Sequence, residues 1–173
     1  MKKIRKNRLQ AVCANMHELG LPQILVTDTS SVYYLTGEWV VPMERMLALL
    51  IKEDGTCLRF GNALFGLQPM DGAQLFVHTD ADDPLRDLVK ALSPGVLGID
   101  KTWASRFLIP LMEKRPDVQI KLGSAPVDLA RMCKDAEEIA ALRRASQCND
   151  AVMQASIQKI RGGMTETELS AVV

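Results

Sequence analysis

The chain has 173 residues, of which 47% are hydrophobic and 24% are charged, which is ordinary for a soluble globular protein. Its 21 basic and 21 acidic residues give a formal net charge of zero, which argues against a nucleic-acid partner. No apolar run reaches the roughly 18 residues that a membrane span needs, and the charged N-terminus lacks the apolar core of a secretion signal. We therefore expect a cytoplasmic protein that binds neither nucleic acid nor membrane.

The four cysteines are far apart in the sequence, and no two of them have the spacing of a zinc site or a redox motif. Free cysteine packs as a small hydrophobic residue. We therefore expect four reduced thiols, at Cys13, Cys57, Cys133 and Cys148.

The first 60 residues alternate between helical and extended patterns. Apolar side chains at helical spacing precede Gly20, which predicts a helix that ends there. A β-branched run then predicts a strand, and Asp28 is suited to cap a short helix. Two apolar runs on either side of Asp54-Gly55 predict a β-hairpin. The expected segments are a helix at 9–19, a strand at 24–27, a helix at 28–34, and strands at 46–51 and 57–60.

Strands and helices alternate between residues 74 and 122. An antiparallel hairpin followed by alternating strands and helices indicates a mixed sheet with helices on its faces. The fold class that we predict is therefore α/β. The expected segments are strands at 74–78, 96–99 and 118–122, with helices at 84–92 and 103–115.

Long helical patterns replace the alternation after residue 125. A short helical connector is expected at 126–132, and Asp135 with Glu138 forms a capping box for a long helix. Thr165 with Glu168 forms a second capping box close to the last residue of the sequence. We expect a truncated second domain that self-associates or pairs by domain swapping, because the sequence offers too little to cover one apolar stripe. That stripe consists of Ile139, Leu142, Ala145, Val152, Met153, Ile157 and Ile160.

No catalytic constellation is evident in the sequence. It has neither the Gly-x-Ser-x-Gly motif of serine hydrolases nor a phosphate-binding loop. His78 is close to Asp80, Asp82 and Asp83, but we expect this acidic run to cap the helix that starts near Pro84 rather than bind a metal. We predict no catalytic residue and no metal ligand in this chain.

A loop between residues 38 and 44 is bordered by Tyr33 and Tyr34 on one side and by Arg45 on the other. A cation and hydroxyl donors at a sheet edge can bind an anionic group of a ligand. The alternative is that the tyrosines pack as half-buried aromatics and Arg45 is an edge-strand charge. Spacing alone favours the alternative.

Five motifs occur in order along the chain. They are Tyr34-Leu35-Thr36-Gly37, Gly98-Ile99-Asp100, Arg131-x-x-Lys134-x-x-x-Glu138-Ile139, Arg143 or Arg144 with Ala145, and Gly163-Met164-Thr165-Glu166-x-Glu168-Leu169. Together they resemble the pita-bread metallopeptidases, which include Xaa-Pro dipeptidases (prolidases), Xaa-Pro aminopeptidases and creatinase. The resemblance covers nearly the whole chain, and Ser31 departs from it where many members have asparagine.

The resemblance implies a creatinase/prolidase-type N-terminal domain at 1–125, similar in fold to ribonuclease H. A linker at 126–133 and the first helices of a truncated catalytic domain at 134–173 would follow. The family's catalytic domain holds two divalent metals, commonly manganese, cobalt or zinc, through two aspartates, a histidine and two glutamates. By the family's order all five ligands would come after Val173, so this chain alone would bind no metal and be inactive. The longer parent would hydrolyse the peptide bond before proline.

In such enzymes the N-terminal domain contributes dimerisation and closure of the substrate site, often across the subunit boundary. Arg45 matches an arginine that approaches the substrate carboxylate in creatinase-like relatives, and Tyr34 and Trp39 are weaker candidates for lining the same pocket. The resemblance thus implies a homodimer and a small peptide substrate. Two alternatives stay open: a non-catalytic protein-interaction module of the same fold, and a creatinase-type C–N hydrolase.

Overall fold

Six strands form one mixed sheet in the computed structural model, which describes residues 2–171. The strand order is β4-β3-β2-β1-β5-β6, and β2 alone runs antiparallel to its neighbours. The predicted α/β fold with a mixed sheet is confirmed. The strands are β1 Gln23–Val26, β2 Leu47–Lys52, β3 Cys57–Asn62, β4 Gln74–His78, β5 Gly95–Ile99 and β6 Val118–Leu122.

Helices cover both faces of this sheet. Successive side chains of a strand point to opposite faces, so Ile24 and Val26 belong to one hydrophobic cluster and Leu25 to the other. The first cluster also contains side chains of α1, α2 and α5, and the second contains side chains of α3 and α4. The helices are α1 Lys6–Glu18, α2 Thr29–Thr36, α3 Arg86–Ala91, α4 Ser105–Lys114 and α5 Ala125–Met132.

The chain divides into two compact units, residues 1–132 and 133–173, of which the structure describes 2–132 and 133–171. Helix α5 lies in the first unit, where Asn15 Nδ2 donates a hydrogen bond to the Pro126 carbonyl at 2.9 Å and Val127 is buried. The predicted domain and linker boundaries stay a prediction.

The loops that follow β1, β5 and β6 are joined through one buried carboxylate. Asp100 Oδ2 accepts from the backbone amides of Thr27 at 3.0 Å and Asp28 at 2.9 Å. Its Oδ1 accepts from the Ser124 hydroxyl at 2.7 Å. Beside this network Gly98 and Gly123 pack backbone to backbone, because a Cβ at Gly123 would come within 2.3 Å of Gly98. These contacts fix the carboxyl edge of the sheet.

The second unit consists of α6 Ala136–Ile157 and α7 Glu166–Ser170. Both predicted capping boxes are confirmed: Asp135 and Glu138 exchange hydrogen bonds with each other's backbone amides, as do Thr165 and Glu168. Among residues 133–171 only Ser156 is buried. The exposed apolar side chains of this unit are Ile139, Leu142, Val152, Met153, Ile157 and Ile160.

Candidate functional site at the carboxyl edge of the sheet

Arg45 lies at the edge of the sheet where the carboxyl ends of five strands meet the start of β2. Open α/β sheets usually bind their ligands at this edge, because the loops that follow parallel strands open there into crevices. The position therefore suits a ligand contact.

The Arg45 guanidinium is held by two carboxylates. Its Nε donates to Asp80 Oδ1 at 2.9 Å and its Nη2 to Asp80 Oδ2 at 2.8 Å, while Nη1 donates to Glu44. The hydrogen bonds from Arg45 hold the pKa of Asp80 below its ordinary value, and Asn62 Nδ2 adds a bond of 2.7 Å to the same carboxylate. A ligand carboxylate would have to share or displace these partners to bind Arg45.

The loop that ends at Arg45 begins at a buried ion pair. Gly37 ends α2 with a φ of 71°, and the Thr36 hydroxyl accepts from the Glu38 amide at 3.1 Å. The Glu38 carboxylate is buried against the Arg59 guanidinium of β3, and Lys2 Nζ reaches it at 3.1 Å. This end of the loop is therefore fixed to the sheet.

The middle of the same loop presents apolar side chains to solvent. Trp39 is 62% exposed, Met43 is 79% exposed, and Val41 is exposed as well. Met43 also has a φ of 52°, which is a strained backbone conformation for a residue other than glycine. Exposed apolar patches and local backbone strain both occur preferentially at interaction and functional sites. Both features make this loop a candidate interaction surface.

The structure does not bring Tyr34 and Trp39 to the cavities beside Arg45. Tyr34 is buried in the first unit, where its hydroxyl donates to the Ala130 carbonyl at 3.1 Å and the Arg8 guanidinium lies over its ring. Trp39 packs its ring edge to face against Tyr33, with ring centroids 5.7 Å apart. The proposed contacts of Arg45, Tyr34 and Trp39 with a substrate stay predictions.

Two cavities flank Arg45 and share its side chain and that of Phe107. The smaller, of about 220 Å³, lies between the loops after β1 and β5 and includes Trp103 in its wall. The larger, of about 310 Å³, lies at the ends of β3 and β4. The residues that line the larger cavity include Asn62, His78, Asp80, Asp82 and Arg106.

Sequence reasoning missed most of the residues around the larger cavity. Asn62 and His78 are the last residues of β3 and β4, and the sheet register places them side by side. The signal in the sequence was a polar residue at the end of each of two predicted strands. It could not be used, because the sequence did not predict that β4 is the neighbour of β3. Without that topology the two positions could not be placed together.

The acidic run after β4 does not cap α3 as expected. Leu85 occupies the cap position of α3 without any side-chain hydrogen bond. Asp82 instead accepts from the amide and hydroxyl of Thr79, and Asp83 Oδ1 accepts from the Leu85 amide at 3.0 Å. The helix begins at Arg86, so these carboxylates order the loop that precedes it.

Within residues 2–171 no group of three or more histidine, cysteine, aspartate or glutamate side chains is placed to hold a metal ion. None of the helices described is long and apolar enough to cross a membrane. The four cysteines are free thiols. The expectation that this chain alone binds no metal stays a prediction.

Known proteins resemble the chain in sequence and in fold. A family model described as the creatinase/prolidase N-terminal domain matches residues 8–133. A Bacillus subtilis (strain 168) protein provisionally named a dipeptidase, YkvY, is 22% identical over 176 residues, which cover 96% of this chain and 48% of that protein. The prolidase of Thermococcus sibiricus has a TM-score of 0.83 at 22% identity, covering 96% of this chain and 47% of that one. A dipeptidase of Pyrococcus horikoshii OT3 has a TM-score of 0.83 at 23% identity, covering 95% and 47%.

The two solved structures share the fold of this chain. The chain spans about half the length of the relatives that it matches.

Proposed function

Because the chain belongs to the creatinase/prolidase N-terminal domain family, we propose that it is the dimerising and substrate-gating part of a metal-dependent Xaa-Pro dipeptidase or aminopeptidase. The longer protein hydrolyses the peptide bond that precedes proline in a small peptide. The chain itself supplies contact surface and a charged group rather than the hydrolytic centre.

The observation that carries this proposal is the loop between Glu38 and Arg45. One end is anchored by the buried ion pair of Glu38 with Arg59, and the other is held by the ion pair of Arg45 with Asp80. Exposed Trp39 and Met43 lie between them. A segment that is fixed at both ends and apolar in the middle suits packing against a second copy of the protein.

Arg45 is the group of this loop that would meet a substrate carboxylate in the partner's site. A guanidinium binds a carboxylate through two parallel hydrogen bonds, which neutralises the terminal charge of a short peptide. Asp80 and Glu44 hold the Arg45 guanidinium in place, and a substrate carboxylate would compete with them for it. Peptides without a carboxylate at the matching distance would lose this bond, and that is the basis of the proposed gating.

The hydrolytic metals belong to the part of the longer protein beyond this chain. The residues described here do not fit a two-metal centre, because they bring no three ligand side chains together. Two divalent ions, of manganese, cobalt or zinc, would supply an activated water there. The four free thiols agree with the reducing cytoplasm that we propose as the location.

The proposal is tested on the longer parent protein with added manganese and Gly-Pro as substrate. Arg45→Ala should lower kcat/KM by about tenfold to a hundredfold, largely through KM, because a charge-assisted hydrogen bond to the substrate is lost. Arg86→Ala is the matched control, since Arg86 also pairs with two carboxylates, Asp82 and Asp87, away from the loop. Equal activity of the Arg45→Ala and Arg86→Ala proteins would reject the substrate contact. Absence of Xaa-Pro cleavage by the unmodified protein would reject the enzyme class.

A further inference from the structure

His78 is a polar side chain that is almost fully covered by its neighbours. It ends β4, is only 6% exposed, and lines the larger cavity beside Arg45. No hydrogen bond joins its ring to any other residue in the described part of the chain, 2–171. Among the described residues only Trp103 Nε1 is a fully shielded side-chain polar atom without a hydrogen-bond partner, so the ring nitrogens of His78 keep some access to the cavity that the side chain lines. A nearly buried imidazole with accessible nitrogens and no protein partner can donate to or accept from a molecule that enters the cavity.

Arg106 supplies an unpaired cation to the same cavity. Its guanidinium lies against the Phe107 ring, 5.4 Å from the centroid, and no carboxylate pairs with it among the residues that the structure describes. The neighbouring arginines differ, because Arg45 and Arg86 are each held by two carboxylates.

The acidic side chains in the wall already have partners. Asp80 and Glu44 are bound to Arg45, and Asp82 is bound to Arg86 and to the backbone amide of Thr79. Their charges are therefore largely neutralised by neighbouring groups. The guanidinium of Arg106 and the imidazole of His78 remain available to a ligand, and this combination suits a ligand with a single negative charge.

We propose that this cavity binds a small carboxylate, with Arg106 providing the charge and His78 a ring N–H donor. Its volume of about 310 Å³ suits a small organic anion. The cavity adjoins Arg45, but its ligand would be held by Arg106 and His78, whereas the proposed function has Arg45 contact a peptide in the partner subunit.

Binding at this site is coupled to protonation. Burial holds the pKa of His78 below its ordinary value, although the nearby carboxylates of Asp82 and Asp80 act in the opposite direction. A bound carboxylate favours the imidazolium, so it raises this pKa, and the affinity increases as the pH falls through it. The charged groups that surround His78 are Asp80 and Asp82 in the loop after β4, Arg86 and Asp87 on α3, Arg106 on α4, and Glu44 and Arg45 before β2.

The experiment follows by NMR the ring protons of the two histidines of the 173-residue chain, His17 and His78. The pH titration of both rings is followed in sodium acetate, sodium phosphate and sodium chloride at one ionic strength. Acetate should raise the pKa of His78 by about half a unit or more, saturably, and leave His17 unchanged. A response of His78 to chloride or phosphate as large as the response to acetate would overturn the proposal, and so would no response.

Two variants complete the test. Arg106→Gln should abolish the acetate-dependent rise of the His78 pKa, because it removes the unpaired cation. Lys90→Gln, on α3 and outside the cavity wall, removes an equal charge and should leave the rise intact. Retention of the rise in Arg106→Gln, or its equal loss in both variants, would contradict the assignment, and the dispersion of the amide resonances checks that each variant is folded.

Discussion

The two units of the chain differ in whether their apolar side chains are buried. The first unit buries them on both faces of its sheet, so that side chains such as Leu25 and Ile24 are fully inaccessible on opposite sides. The second unit leaves the stripe of α6 exposed, including Ile157. Apolar spacing predicts which face of a helix is to be covered, but only packing decides whether it is. Stability should accordingly be concentrated in the first unit.

The largest expected effect comes from a cavity in the first unit. Phe60→Ala should lower the free energy of unfolding by about 3–5 kcal/mol, because the ring is fully buried and stacks on Phe76. Ile157→Ala in the exposed stripe should change it by about 0.5 kcal/mol or less. Urea denaturation followed by far-UV circular dichroism measures both, because helices of both units contribute to the signal. A similar decrease in the free energy of unfolding in the two variants would contradict the proposed difference between the units.

The next effect separates two ion pairs at the ends of one loop. Arg59→Ala should destabilise the first unit by about 3 kcal/mol, because the buried Glu38 loses its main partner and keeps only Lys2. Arg45→Ala should leave the midpoint of unfolding nearly unchanged, because its ion pairs are exposed to solvent. Denaturation midpoints of the two variants provide the comparison. An equal loss in Arg45→Ala would mean that the outer end of the loop is as important for stability as the inner one.

Thiol reactivity distinguishes the units at single residues. Burial raises the pKa of Cys57 to about 12, and burial together with Asp54 raises the pKa of Cys13. Cys133 and Cys148 are exposed. The reactive thiolate of Cys57 at neutral pH is therefore about a thousandfold scarcer than that of an ordinary thiol. Labelling followed by mass spectrometry should modify the two exposed cysteines first and Cys57 last, and early modification of Cys57 would show that the sheet opens readily.

The smallest effect concerns association through the exposed stripe. Ile157→Glu should weaken the self-association that we expect the stripe to drive. Lys159→Glu, next to it, changes charge without removing apolar surface and should leave self-association unchanged. Light scattering over a range of concentrations measures the difference. A monodisperse monomer at high concentration would refute the expected self-association.

The elements themselves could be predicted because their signals are local. The hairpin followed from Asp54-Gly55, and the start of α6 from Asp135 with Glu138, since turn and cap chemistry are encoded within a few residues. Strands β4 and β6 were predicted to the residue, because each apolar run has clear limits.

The candidate site could be predicted only in part. Arg45 was identified through a family resemblance, but its partner Asp80 is 35 residues away and was assigned to a helix cap. The pairing of Asn62 with His78 depends on β3 and β4 being neighbours, which no local pattern encodes. For Tyr34 the motif suggested a ligand contact. In the structure its hydroxyl instead donates a hydrogen bond to the carbonyl of Ala130, 96 positions away, which the local sequence does not encode.

The carboxylate of Asp100 links the segments that follow β1 and β6. Because it accepts from two backbone amides after β1 and from the Ser124 hydroxyl after β6, those segments cannot separate without breaking the same group's bonds. The amide protons of Thr27 and Asp28 should accordingly exchange with deuterated solvent only in large, concerted openings. Asp100→Ala would convert that collective event into independent local fluctuations, and exchange at the two amides would accelerate together.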